Sequence, residues 1–342
     1  MGEKKRGLQH ISQYRTEIMG FAILWIVLFH SAIPAPESPL LRLIWYCVVS
    51  FGGGLGVNIF MLLSGYGLAF SHSKKSCCSD RAAIKDYFRR RMKRILIPYF
   101  FVAVIFFAVS SIHKGTGVLG FLEEITLLSF IMRGVRTYWY IFAIILLYCL
   151  FPLYMYLSQR FGYGRICVAT VATLICLEMI TCAVFPVFYQ RFEVIILRAP
   201  LFFIGSYLGQ LTIDGAQSKQ SKRVFIGAIV VAVIAFLVYM LAFGKQVATL
   251  RLQRYLFIPM GIGIAIGLSL LFPIIPFLNK LWSVYGRYSL GVYLIHIPLY
   301  ELVQNVGGYN WNPYFVFLCV MVASLLGAFA LSWITDKIAK YI

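Results

Sequence analysis

Long apolar runs, each about twenty residues, constrain this chain more than any other feature of its sequence. A helix needs about twenty mostly apolar residues to cross a bilayer, whereas barrel strands alternate apolar and polar residues over about ten positions. Hydrophobic residues make up 61% of the chain and charged residues 13%, against about 45–50% and about 25% in soluble domains. The sequence therefore predicts an all-α, polytopic transmembrane helix bundle, and it excludes a soluble domain and a disordered chain.

Charged residues and Gly/Pro breaks divide these runs into about ten helices. We place them at residues 16–33, 50–71, 95–112, 138–158, 166–188, 193–211, 224–243, 251–272, 281–306 and 313–334. The apolar segment 118–131 is too short to cross and carries Glu123 and Glu124, so we expect a re-entrant or interfacial helix there. Since no appended soluble domain or clear internal repeat is visible, residues 1–342 are expected to form one transmembrane domain.

The basic residues predict an orientation in the membrane. If the N-terminus is cytoplasmic, the cytoplasmic segments hold 22 of the 31 Lys and Arg residues and the outer segments hold 9. Cytoplasmic loops are enriched in Lys and Arg, so this bias places both termini in the cytoplasm. The formal charge of +19 does not indicate nucleic-acid binding, because no aromatic residues are interleaved with the basic run to form a base-stacking platform. Contact with anionic membrane lipid is expected instead.

The eight cysteines predict neither a metal site nor a disulfide framework. Most lie inside apolar runs, where cysteine behaves as a small hydrophobic residue. Cys77 and Cys78 lie in a basic loop that has no CxxC motif and no histidine at metal-ligand spacing. We therefore expect no bound metal.

A histidine near the outer end of the first helix is a candidate general base. His30 lies within an otherwise apolar stretch, and polar groups inside membrane helices are costly enough to be functional candidates. A neutral imidazole can take a proton from a hydroxyl near neutral pH. The alternative is an interfacial histidine that hydrogen bonds to a neighbouring carbonyl, and position alone does not separate the two.

Five basic residues fall within six positions at the start of the third helix, and Pro98 and Tyr99 follow them. Such a run can fix topology and contact anionic lipid. It can also grip phosphates, because residues three and four apart share a helix face and arginine binds phosphate in a forked geometry. A phosphorylated cytosolic cofactor would meet the members of this run: Arg89, Arg90, Arg91, Lys93 and Arg94.

Other polar residues inside apolar runs could line a cavity or stabilise charge. Asn58 and Ser64 lie nearly two turns apart in the second helix, and either could donate a hydrogen bond to a developing oxyanion. Close helix packing is the simpler explanation for the glycines around them. The ninth helix carries a polar stripe at i, i+4 and i+7, for which an interhelical hydrogen-bond network is the simpler explanation. Further cavity-lining candidates are Ser289, Tyr293 and His296 from this stripe, together with Glu178, Arg198 and Trp139.

In their order along the chain, these segments resemble the acyltransferase 3 family of bacterial membrane proteins. The order is a first helix ending in a histidine, Phe-x-x-x-Ser-Gly-Tyr, an arginine-rich run closing on Pro-Tyr, a tryptophan at the start of the fourth helix, Arg-x-Pro-x-Phe-x-x-Gly, and Ser-x-Gly-x-Tyr-x-x-His. Each motif is weak alone, but six in the right order over nearly the whole chain are fairly specific.

The resemblance implies an O-acyltransferase of the bacterial cytoplasmic membrane. Such a protein moves an acyl group, usually acetyl from acetyl-CoA, to a hydroxyl of a cell-surface polysaccharide or of its lipid-linked sugar precursor. It also implies that His30 is the family's helix-1 histidine and that Arg89, Arg90, Arg91 and Arg94 form its arginine motif. Direct transfer and an acyl-histidine intermediate are both open. The acceptor sugar, the acyl chain length and the oligomeric state cannot be read from the sequence.

One departure concerns the first helix. Many members carry an arginine eleven residues before the histidine and an acidic residue shortly before that arginine, but here these positions are Met19 and Thr16. Arg15 and Glu17 lie nearby but out of register. The residues at this end of the helix therefore differ from those that the resemblance implies for donor binding.

Two other functions remain open. A transporter or flippase for a lipid-linked or small amphiphilic substrate could use the same buried polar groups, although no paired broken helices are visible. A membrane scaffold without turnover is the other, and the lack of a second domain counts against it. Only the acyltransferase requires an acyl-CoA site at the arginines.

Overall fold

The structure is a computed structural model that describes residues 7–31, 33–215, 219–245, 249–307 and 311–341. These residues form helices joined by short connections, and no strand occurs among them. The predicted all-α class is therefore confirmed. Lys4, Lys5 and Arg6, on which part of the predicted orientation rests, lie outside the described residues.

Sixteen α-helices, numbered in chain order, and one π-helical segment at Tyr46–Ser50 make up the described fold. They are α1 Gln9–Gln13, α2 Arg15–His30, α3 Pro39–Trp45, α4 Gly52–Lys74, α5 Arg81–Lys114, α6 Gly117–Ile125, α7 Leu128–Arg133, α8 Trp139–Phe161, α9 Tyr163–Val184, α10 Pro186–Ile196, α11 Ala199–Ile213, α12 Lys219–Gly244, α13 Leu250–Leu271, α14 Pro276–Arg287, α15 Ser289–Gly307 and α16 Pro313–Tyr341.

Eight helical stretches within the described ranges are long and apolar enough to cross a membrane. The two predicted crossings that are not among them are the first, where α2 has only 16 residues, and the ninth. The ninth is broken at Tyr288 into α14 and α15, and α15 carries His296 and Glu301. Polar and broken helices inside a bundle commonly line cavities rather than face lipid.

Two predicted boundaries differ from the structure in ways that matter for the site. The third helix begins at Arg81 rather than near residue 95, so the whole basic run is helical and continuous with the apolar part. The segment 118–131 forms the short helices α6 and α7, which break at Leu127, a residue with φ of 61°. Neither is long enough to cross, in agreement with the expected re-entrant or interfacial segment.

The centre of the bundle is the crossing of α4 with α11, where the two backbones touch. A Cβ on Gly65 would lie 1.8 Å from the carbonyl oxygen of Phe202, and one on Gly205 would lie 2.0 Å from that of Leu62. Only glycine permits such an approach, and it is how small residues promote helix packing in membranes. Helix α2 also packs against α4. It runs from Arg15, near the basic run, to His30, and we name the two ends of the bundle the arginine end and the His30 end.

Candidate active site

A cavity of about 960 Å³ enters the bundle from the arginine end. Its walls come from α2, α4, α5, α8, α15, α16 and the break between α14 and α15. At the arginine end the described wall residues include seven cations and a single carboxylate, Asp336. The seven cations are Arg15, Lys74, Arg90, Arg91, Lys93, Arg94 and Arg287. This excess of positive charge suits a ligand with several negative charges.

The predicted arginine motif divides between the cavity and the surface. Arg90, Arg91 and Arg94 line the cavity, whereas Arg89 is exposed and is not part of its wall. Arg91 is held in place, because its Nη2 donates to the Ser71 hydroxyl over 2.6 Å. Arg90 donates to Asp86 one turn earlier, in an exposed ion pair.

Arg15 lies in the cavity at the place where the first helix departs from the family pattern. It lies four residues before Met19, so the two share a helix face, and both line the cavity. Its guanidinium lies against Gly67 of α4, where an added Cβ would approach its Cζ to 2.3 Å. Arg15 is out of register with the family pattern in the sequence, although a shift of four residues moves a side chain by only one turn along the same face.

The inner part of the cavity is lined mainly by apolar and aromatic side chains. Ile26, Phe60 and Tyr140 form its wall together with the predicted residues Ser64 and Tyr293. The Ser64 hydroxyl lies 3.5 Å from that of Tyr140. The Tyr293 hydroxyl is buried and has no hydrogen-bond partner among the described residues. Ser289, one turn earlier in α15, also lines the cavity.

His30 lies one turn beyond the inner end of the cavity. Its Nδ1 lies 2.9 Å from the carbonyl oxygen of Ile26, a residue of the cavity wall. Because a carbonyl can only accept, Nδ1 carries the proton of the neutral ring, and the lone pair is on Nε2. An Nε2 with a free lone pair is the atom that a general base requires.

The ring of His296 contacts that of His30. The ring centroids are 5.1 Å apart. His296 is fully buried and is not part of the cavity wall; its Nδ1 contacts the carbonyl oxygens of Val292 and Tyr293. Its Nε2 has no partner among the described residues. Of the expected polar stripe, Ser289 and Tyr293 therefore line the cavity, whereas His296 contacts the ring of His30 instead.

Asn58 does not share the cavity with Ser64. It is buried, its amide Nδ2 donates to the carbonyl of Phe257 over 3.0 Å, and its Oδ1 has no partner among the described residues. Six helical residues turn through about 600°, which leaves the two side chains about 120° apart. The idea that both line one cavity was therefore wrong. The Tyr140 hydroxyl is better placed on that wall, and nothing in the sequence distinguishes Tyr140 from the other aromatic residues around it.

Glu178, a predicted cavity-lining residue, is not part of the cavity wall. It is only 1% exposed, and it accepts hydrogen bonds from Tyr189, Tyr255 and, through two nitrogens, Arg251. The sequence did not show which residue forms an ion pair with Glu178, because Arg251 lies 73 residues away along the chain. This arrangement is a structural ion pair between α9 and α13.

Arg198 and Trp139 contact one another outside the cavity wall. The Arg198 guanidinium lies 5.3 Å from the centroid of the Trp139 ring, and its Nη1 donates to the carbonyl of Val194. Both residues are at the His30 end of the bundle, because Trp139 begins α8 and the other end of α8 contacts His72.

His72 meets Cys77 and Cys78 at the arginine end, which corrects the expectation that no histidine lies at metal-ligand spacing from these cysteines. One potential ligand atom from each lies within 4.8 Å of the others. The imidazole is already engaged, since Nδ1 accepts the Cys77 backbone N–H over 3.2 Å and Nε2 lies 2.9 Å from Nε2 of Gln159. Burial raises the pKa of the Cys77 thiol to about 12, so that thiol is neutral at pH 7. The group could hold a soft metal only after losing these contacts and that proton.

A family model described as an acyltransferase domain matches residues 20–333, nearly the whole chain. The match includes His30, the basic run of α5 and the whole of α15, but it begins after Arg15. No curated protein and no solved structure matches the chain.

Proposed function

This chain belongs to the acyltransferase 3 family and is a multi-pass membrane acyltransferase, and from that premise we propose which group it moves and how. The donor is cytosolic acetyl-CoA, and the acceptor is a hydroxyl of a cell-surface polysaccharide or of a lipid-linked sugar precursor. His30 is the general base. The protein lies in the bacterial cytoplasmic membrane, with the arginine end and both termini in the cytoplasm.

The observation that carries this proposal is the shape and charge of the cavity. Its cationic end matches a nucleotide with several phosphates, and its inner end is largely apolar. The wall runs along α2 from Arg15 to Ile26, eleven residues or about 16 Å of helix. The pantetheine arm of CoA spans roughly 15–20 Å by chain reach, so a thioester would arrive near the turn that holds His30.

The chemistry follows from the position of the free nitrogen. The acceptor hydroxyl attacks the thioester carbon, and its proton passes to Nε2 of His30. The C–S bond then breaks, an ester forms, and the proton on His30 neutralises the departing CoA thiolate. The hydroxyls of Ser64, Tyr140 and Tyr293 are the donors available at the inner wall for the transient oxyanion.

Binding of acetyl-CoA to the purified protein in nanodiscs tests the proposal without knowledge of the acceptor. We expect saturable binding that is lost in an Arg90/Arg91/Arg94→Ala variant. Arg89→Ala is the matched control, because it removes an arginine from the same run but outside the cavity wall. Equal binding by all three proteins, or no binding to folded wild type, would reject the donor site and favour a transporter.

A further inference from the structure

We propose that a second arginine cluster, at the His30 end, binds a carboxylate or phosphate group carried by the acceptor. The cluster consists of Arg136, Arg198 and Arg254 around Glu193. This inference rests on the proposed function, because it assigns a chemical class to the acceptor of that reaction.

The cluster holds more positive charge than the described residues neutralise. Arg136 contacts Glu193 Oε1 over 2.9 Å, and Arg254 contacts Glu193 Oε2. Arg198 has no carboxylate within ion-pair distance among the described residues. It is nevertheless close enough to Glu193, Arg136 and Arg254 to interact with them electrostatically. The neighbouring Glu178 is already paired with Arg251. Three guanidinium groups thus share one carboxylate, which leaves an excess of two positive charges.

Within the cluster, Arg198 is a buried cation with few hydrogen-bond partners. It is 8% exposed, and its one hydrogen bond among the described residues goes to the carbonyl of Val194, one turn earlier. Its Nε is buried without a partner, and so is the Nε of Arg254. A buried cation is costly unless it is paired and hydrogen bonded. The stacked Trp139 ring offsets part of that cost, but it cannot accept the free N–H groups.

The cluster is graded from surface to interior. The side chain of Arg136 is 44% exposed, whereas those of Glu193 and Arg254 are 8% and 9% exposed. An anion arriving at the His30 end would first meet Arg136 and would then find the unpartnered donors of Arg198 and Arg254. Guanidinium groups present parallel N–H donors that match carboxylate and phosphate oxygens in pairs.

Three consecutive residues connect this cluster to the candidate active site. The Tyr138 hydroxyl donates to the carbonyl of Leu294, two residues before His296. Trp139 lies under Arg198, and the Tyr140 ring contacts that of Tyr293 in the cavity wall. An acceptor anchored through its anionic group at Arg198 would therefore lie beside the wall that ends at His30. This arrangement can hold a sugar in a fixed position while one hydroxyl reacts.

Binding of simple probes tests the cluster. The protein is placed in nanodiscs, and excess CoA is added to occupy the cavity at the arginine end. It is then titrated in separate experiments with methyl glucuronide, with inorganic phosphate and with the neutral methyl glucoside. Binding is measured by intrinsic tryptophan fluorescence. We expect an anion to bind and the glucoside not to bind. Arg198→Gln and Arg136→Gln should each weaken anion binding about tenfold or more. Preference for glucuronide indicates a uronic acid acceptor, and preference for phosphate a phosphorylated one.

Arg133→Gln is the matched control, because Arg133 is 54% exposed at the same end but is paired with Glu123. If Arg198→Gln does not fold, the anion affinity of Arg136→Gln is compared with those of Arg133→Gln and wild type, because Arg136 is half-exposed and its substitution should leave the fold intact. Equal affinity in wild type, Arg136→Gln and Arg133→Gln, equal binding of the neutral sugar, or no anion binding to folded wild type would overturn the proposal. A separate measurement of acetyl-CoA binding distinguishes failure of this subsite from failure of the proposed donor site. If acetyl-CoA binds and the anion does not, only the anion subsite is rejected. If the anion binds and acetyl-CoA does not, only the donor site is rejected.

Discussion

The imidazole rings of His30 and His296 meet at a centroid distance of 5.1 Å, with an angle of 64° between their planes. Each Nδ1 contacts a main-chain carbonyl in the preceding turn of its own helix, so each ring keeps its lone pair on Nε2. The Tyr300 hydroxyl donates to the carbonyl of Val27 over 3.0 Å and joins the same two helices. The turn that carries His30 is therefore fixed by contacts from α15.

His30→Gln should abolish transfer while leaving the fold and donor binding intact. Loss of a general base costs roughly 10²- to 10⁴-fold in rate. The measurement is release of free CoA from acetyl-CoA by membranes that contain the native acceptor, with acetyl-CoA binding to the purified variant as the control. Transfer at the wild-type rate would remove His30 from the mechanism.

His296→Gln should lower kcat by less than His30→Gln and leave the KM for acetyl-CoA unchanged. His296 is fully buried outside the cavity wall, so it acts through the position of the His30 ring. We expect kcat to fall roughly tenfold, which is the size of effect expected when a catalytic group is misplaced rather than removed. A loss as large as that of His30→Gln would instead make His296 a direct participant.

Arg15→Ala should weaken acetyl-CoA binding, because it removes a partly buried cation from the cavity wall. The decisive variant is Arg15→Ala/Met19→Arg, which moves the cation one turn along the same face, to the position that the family pattern uses. We expect this double variant to recover donor affinity, measured by calorimetry in nanodiscs. If Arg15→Ala binds as wild type does, Arg15 has no part in donor binding.

Gly67→Ala should also lower donor affinity, but through displacement rather than loss of charge. The new methyl group would lie 2.3 Å from Cζ of Arg15, and the flexible end of that side chain must move away. Gly267→Ala is the control, since its Cβ would meet no atom of the described residues within 4 Å. Equal donor affinities in the two variants would show that the position of Arg15 against α4 does not matter.

The sequence predicts the helical class and most crossings well, because apolar runs of this length have few alternatives in a membrane. It also identifies three arginines of the cavity wall, Arg90, Arg91 and Arg94, because they belong to a dense run of basic residues beside an apolar run. It does not identify Lys74, Arg287 or Asp336, since single charges at helix ends look like ordinary interfacial residues until the chain is folded.

Pairing across the chain is what the sequence cannot supply. Asn58 and Glu178 are both polar residues in apolar helices, yet each has a hydrogen-bond partner on α13. Local spacing reports which residues share a helix face, but not which distant helix covers that face. The contact between His30 and His296 was out of reach for the same reason, although both histidines were candidates individually.

Glu178→Gln tests the structural interpretation of that carboxylate. The substitution removes the charge that pairs with Arg251 and leaves a buried amide among three donors, so we expect the free energy of unfolding to fall by roughly 3 kcal/mol. Glu123→Gln is the control: its pair with Arg133 is half-exposed, and its loss should cost less than about 1 kcal/mol. Thermal unfolding in nanodiscs compares the two. A stable Glu178→Gln protein that has lost transfer would contradict the interpretation, because Glu178 would then act in the reaction and not in the scaffold.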